Sequence, residues 1–214
     1  IDDIRFAKDV DCTGVAFGSQ KIVPNPSWNT LLFAIYGSLT NALNVGWTGD
    51  FSSVLEFRAR SAVTLTAANS TPALWGSATG GVKILALGGT VTLQDKAVFI
   101  RLDLQAGTFD ANNQNVEIKT RFVGNSGTLT RVLTMGSGTW SFTSVSGVLI
   151  WNTNIFGGLP TGLTVNADTS LIDILPITGP GTATIQADGV TFHDLTISGA
   201  QVGGNVTLKF SHIG

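Results

Sequence analysis

GTVTLQ, residues 89–94, is followed by Val98, and GTATIQ, residues 181–186, is followed by Val190 at the same internal spacing. A word that returns with its spacing intact points to repetition of a structural unit rather than to chance. A shorter form, Gly then Thr or Ser then an apolar residue, stands at Gly37, Gly89, Gly107, Gly127, Gly138 and Gly181. Gly89 to Gly107 is 18 residues, Gly107 to Gly127 is 20, and Gly162 to Gly181 is 19.

Around these words the apolar residues alternate with polar ones. Leu55, Phe57 and Ala59 alternate with Val54, Glu56, Arg58 and Arg60, and Val116 and Ile118 flank Glu117. Val98, Ile100, Leu102 and Leu104 alternate with Phe99, Arg101, Asp103 and Gln105. Side chains on a strand point alternately to opposite faces, so this is the pattern of strands with one buried face. Residues 28–43 also fit a helical spacing, but Gly37 interrupts it and Leu31, Phe33 and Ile35 fit a strand, which is the expectation adopted.

Composition agrees. Only 12% of the 214 residues are charged, 43% are hydrophobic and 26 are glycine. Glu56 and Glu117 are the two glutamates and Met135 the one methionine, so strong helix formers are scarce. The expected fold is all-β, a parallel β-helix (β-solenoid) with coils of about 18–24 residues. A coil that small cannot bury its own apolar face, and stacking coils ~4.8 Å apart creates a continuous core. Strands separated by turns every ~8–12 residues also suit a β-sandwich or jelly roll, which is the competing architecture. Residues 1–30 match the pattern least and are assigned as an N-terminal cap or linker, with the solenoid spanning 31–214. The core is expected at Leu93, Val98, Ile100, Leu102, Val116, Ile118, Leu129, Leu133, Ile185 and Val190. Trp140 and Trp151 are assigned to it as well.

Several functions are disfavoured. The formal net charge is −2 with no run of Lys or Arg, so neither nucleic acid nor an anionic membrane is an expected partner. Apolar runs such as 31–36 and 148–151 end far short of the ~20 residues a membrane helix needs. The chain begins at Ile1 and shows no signal-peptide pattern, which reads as a processed product or a part of a longer polypeptide. Cys12 is the single cysteine, so no internal disulfide and no Cys-rich zinc site is expected.

The run GTFDANNQNVEI, residues 107–118, holds a carboxylate and three asparagines within six residues, 110–115, and raises the question of a calcium loop. Counted from Asp110, an EF-type loop needs glycine at its sixth position and an acid at its twelfth, where Asn115 and Arg121 stand. Asn112 and Asn113 instead suit a corner, where left-handed backbone and side-chain-to-backbone bonds are required. No metal and no cofactor are expected. His193 and Asp194 adjoin a strand, and neighbours on a strand face opposite ways, so they are not expected to support one another. Asp103 and Asp110 are candidate paired carboxylates, with Arg101 and Arg121 as charge partners. Arg101, Asp103 and Gln105 share one polar face. The candidate binding residues are Trp47, Trp75, Arg101, Asp103, Asp110, Asn112 and Asn113, the tryptophans because indole rings stack on sugars and anchor interfaces.

GSLTNALNVGWTGDFSSVLEFRA, GGTVTLQDKAVF, GTFDANNQNVEI, SGTLTRVLTMGSGTWSFT, PTGLTVNADTSLI and DGVTFHDLTISG follow one another in an order that resembles repetitive β-helix segments of phage virion proteins. Similar segments occur in tail-associated and other virion proteins and in large bacterial surface proteins. The likeness spans roughly residues 30–200. It implies a non-enzymatic structural module of a virus particle, tail fibre or capsid decoration, whose partners are other virion proteins, copies of itself or a host-surface glycan. The same resemblance leaves open a bacterial cell-surface adhesin segment and a polysaccharide-degrading β-helix enzyme.

Overall fold

The computed structural model describes residues 3–11, 32–40, 54–68, 81–124, 129–143, 149–153, 161–176, 178–187, 189–198 and 202–209. Among these residues there is no helix, and 17 strands form one sheet in which every pairing is parallel. A sandwich of antiparallel sheets does not have that pairing. Residues 32–35, the ambiguous apolar run, form a strand.

The chain visits three ladders in turn. The first contains β1 (Asp3–Phe6), β3 (Leu32–Ile35), β5 (Val54–Phe57), the start of β7 (Gly81–Leu93), the middle of β8 (Ala97–Asp110) and the end of β9 (Val116–Val123). It continues through β12 (Leu149–Asn152), β15 (Thr178–Gln186) and β17 (Val202–Lys209). The second contains β2 (Val10–Asp11), β4 (Leu39–Thr40), β6 (Ala62–Thr66), the ends of β7 and β8, β10 (Arg131–Thr134) and β13 (Leu163–Asn166). The third takes the starts of β8 and β9, then β11 (Thr139–Phe142), β14 (Leu171–Ile174) and β16 (Asp194–Ile197).

Return to the same ladder takes from 18 residues, Thr90 to Thr108, up to 35, Leu149 to Thr184. The expected interval of 18–24 is therefore too narrow. Paired segments stay short, and the added length lies in the connections: β12 ends at Asn152 and β13 begins at Leu163. The two copies of the six-residue word do not share a ladder either. Residues 90–92 pair with 108–110 in the second, whereas 184–186 pair with β12 and β17 in the first.

Alternation places one row of each strand inside. Leu55 and Phe57, Val82 and Ile84, Leu102 and Leu104, and Val116 and Ile118 are all buried in one core. Rings run through that core, meeting edge to face except for the tilted Phe122–Trp151 pair. Phe99 meets Phe109, Phe109 and Phe122 both meet Trp140, and Phe122 and Phe142 meet Trp151. Trp140 and Trp151 are fully buried, as expected, and the Trp140 indole N–H donates to the Met135 carbonyl. Of the expected core residues, Leu93, Val98, Leu102, Val116, Ile118, Leu133 and Ile185 are buried.

Three are not, and one core residue was placed on the wrong face. The β8–β9 register shifts between Phe99 and Arg101. Before the shift the odd positions Ala97 and Phe99 face the core, and after it the even positions 102, 104 and 106 do, which turns Phe99 inward and leaves Ile100 half-buried. Leu129 is 44% exposed, since it precedes β10 rather than lying in it, and Val190 is half-buried in the turn after β15.

The corner between the second and third ladders is held by side chains of adjacent rungs. Asp95 accepts from the Ala67 and Ala68 N–H groups at 2.6 and 2.7 Å, Asn115 Oδ1 from the Thr139 N–H at 2.9 Å, and Asp168 Oδ2 from the Gly136 N–H at 3.2 Å. Turning there needs left-handed backbone, and φ is +58° at Ala68, +68° at Gly136 and +47° at Asp168. Asp168 supplies both the conformation and a bond that the turn leaves open.

Candidate functional site

Asn112 and Asn113 occupy the same corner at φ +51° and +61°, the left-handed conformation expected of them. Asp110 Oδ1 accepts from the Asn112 N–H at 2.8 Å, the Asn112 amide donates to the Leu93 carbonyl, and Asn113 Oδ1 accepts from the Ser137 N–H and hydroxyl. The Asn112 and Asn113 side chains thus join rungs, while that of Asp110 closes the turn itself.

Asp103 and Asp110 do not form a pair, because Asp103 lies on the first ladder and Asp110 at the end of the second. The outward face of the first ladder is where charge collects. Glu56 pairs in register with Lys83 and Lys83 with Asp103, while Arg101 pairs with Arg121. Arg101 grips Asp103 with two hydrogen bonds of 2.6 Å, from Nε and from one terminal nitrogen. Glu56 takes Arg58 as one partner and Lys83, at 3.2 Å, as the other.

Both carboxylates are buried, at 2% and 6% exposure for Glu56 and Asp103. A buried carboxylate persists only with such partners. Burial lifts the Asp103 pKa above the ordinary aspartate value, while the Arg101 hydrogen bonds and the charges of Arg101, Arg121 and Lys83 pull it back in part. Hydrogen bonding to Glu56 and Tyr36 raises the Arg58 pKa. Arg121 is lowered, first by burial and then by the like charge of Arg101, with Asp103 opposing.

A second polar surface lies on the third ladder. Lys96, Asn115, Glu117, Thr139, Ser141 and Leu175 line a shallow groove of about 390 Å³. Glu117 there is paired with Lys119 and, at 3.8 Å, with Lys96. His193 and Asp194, expected to face apart, are in contact at 3.1 Å. His193 sits in the bend before β16 rather than inside a strand, so strict alternation does not apply to it. Both are well exposed.

An interior arginine escaped the sequence reading. Arg131 is fully buried and donates to the carbonyls of Leu129, Gly124 and Thr161, which ties three chain segments together. Burial lowers its pKa. Its signal was the alternation itself, since Arg131 shares a facing with Leu133. Trp47 and Trp75 lie outside the described residues. Among the described residues no three His, Cys, Asp or Glu side chains converge on a metal position. No family model, curated protein or solved structure matches the chain.

Proposed function

We propose that this chain is a structural β-solenoid module of a phage virion, tail-associated or decorating the capsid, which acts by rigidity and surface contact rather than by catalysis. The observation that carries the architectural part is the repeated parallel return of the chain to the same three ladders over a shared aromatic core. Nine strands of the first ladder, spaced ~4.8 Å, extend for about 40 Å. Such a stack resists bending because every rung is hydrogen-bonded along the axis.

The virion assignment rests on the resemblance of the repeated phrases to phage β-helix segments. Its partners on this reading are other virion proteins, copies of itself and a host-surface glycan. The separation of Asp103 from Asp110, and the double hydrogen bond from Arg101 to Asp103, favour a structural over a glycan-cleaving role.

Immunogold labelling of purified particles tests the reading, with label expected on the tail or capsid exterior. Label confined to a bacterial surface would move the chain to the adhesin class. Release of new reducing ends from capsular or cell-wall glycan incubated with the purified protein would restore the enzyme.

A further inference from the structure

Arg58, Lys83, Arg101 and Arg121 are 18 to 25 positions apart in the sequence, so no local run marks them. The first ladder brings Lys83, Arg101 and Arg121 onto the successive strands β7, β8 and β9, with Arg58 directly after the neighbouring β5. Adjacent strands are ~4.8 Å apart, so these four strands span about 15 Å along the stack.

Among the described residues of these strands two carboxylates share this face, and both are engaged. Glu56 is held by Arg58 and Lys83, and Asp103 by Arg101. Four cations against two carboxylates leave a local excess of positive charge on a chain whose formal net charge is −2. Arg121, on the last of these strands, is where that excess is least offset. Its strand neighbour is another arginine, and among the described residues the carboxylate beside it, Asp103, already accepts both hydrogen bonds of Arg101. Burial and the Arg101 charge both disfavour the Arg121 cation, which an added anion would relieve.

We propose that this face, through Arg121, binds the carboxylate groups of an acidic glycan. A guanidinium presents a planar fork that matches a carboxylate with two parallel hydrogen bonds. The patch is short and the chain as a whole is acidic, which suits a polymer with one charge per sugar better than the dense phosphates of a nucleic acid. The proposal rests on the reading of this protein as a surface-contact module and specifies the ligand class.

The test is affinity electrophoresis of the purified protein through gels containing polygalacturonate, neutral dextran or double-stranded DNA. Polygalacturonate is expected to retard the protein, less so as salt rises, and dextran to leave it unaffected. Arg121→Gln should weaken retardation about tenfold, as loss of one charge-assisted contact predicts. Lys96→Gln, an equal change of charge on the third ladder, should leave it unaltered. Far-UV circular dichroism of each variant checks that the fold is kept, and Arg121→Lys, which keeps the charge and loses the fork, should fall between.

No retardation by polygalacturonate, equal retardation by dextran, stronger retardation by DNA, or equal effects of the Arg121 and Lys96 substitutions would each overturn the proposal. None of these results bears on particle location, so the structural reading would stand or fall on the labelling experiment alone.

Discussion

Phe109 and Trp140 meet edge to face, their ring centroids 6.3 Å apart and their planes at 87°. Phe109 comes from the second ladder and Trp140 from the third, so this contact joins two faces of the stack across its interior. Phe99, Phe122 and Trp151 extend the same chain of rings.

Trp140→Ala is expected to cost about 3–5 kcal/mol, the usual range for deleting a buried large aromatic side chain. Chemical denaturation measures it. A double-mutant cycle of Phe109→Leu with Trp140→Leu should return a coupling of about 0.5–1.5 kcal/mol beyond simple burial. Additive losses would show that the ring contact has no specific energy.

Two glycines separate backbone conformation from crowding. Gly107 has φ +77° and an added Cβ would lie 1.8 Å from the Ala86 carbonyl oxygen, whereas Gly88 has φ +75° and open space around it. Gly88→Ala should cost about 1 kcal/mol, the strain of left-handed backbone alone. Gly107→Ala should cost about 4 kcal/mol or more, because backbone must move. Equal melting temperatures for the two variants would refute the close packing of rungs at Gly107.

Asn113 contributes both a left-handed residue and an acceptor for Ser137. Asn113→Gly keeps the conformation and loses the bonds, at about 1 kcal/mol. Asn113→Ala loses both, at about 2 kcal/mol. If the glycine variant unfolds at the same denaturant concentration as the parent, the side-chain link between rungs contributes nothing.

Asp103 makes stability depend on pH in a definite direction. Its folded pKa is raised by burial above the ordinary aspartate value, so the folded state holds its proton to higher pH than the unfolded chain does. The corresponding stability is present below the ordinary aspartate pKa and is lost as pH rises through the folded value. Asp103→Asn carries no such proton and should gain relative to the parent protein across that window. Unfolding free energies measured for both proteins through the acidic range decide it. A relative loss for the variant with rising pH would mean that the Arg101 pairing outweighs burial.

The strands were legible wherever alternation is strict, as at 54–59 and 116–118, because facing depends only on the parity of neighbouring positions. Parity failed at Phe99 and Ile100, where a register shift of the paired strands moves the core row from odd to even positions. That shift depends on the partner strand and leaves no mark in the local pattern. The corner at Asn112 and Asn113 was legible for the opposite reason, since the conformational tolerance of Asx residues is local.

The sequence by itself determined that the chain is built of short strands with one buried face, turned at small and Asx residues. It also placed Arg101, Asp103 and Gln105 on one polar face. Only the tertiary structure decided which strands lie side by side, because the return interval varies between 18 and 35 residues with the length of the connections. Adjacency of that kind sets Arg121 beside Arg101 and Lys83 between Glu56 and Asp103. Coulomb interactions follow distance in space, so the charge that matters here took shape only when the rungs were stacked.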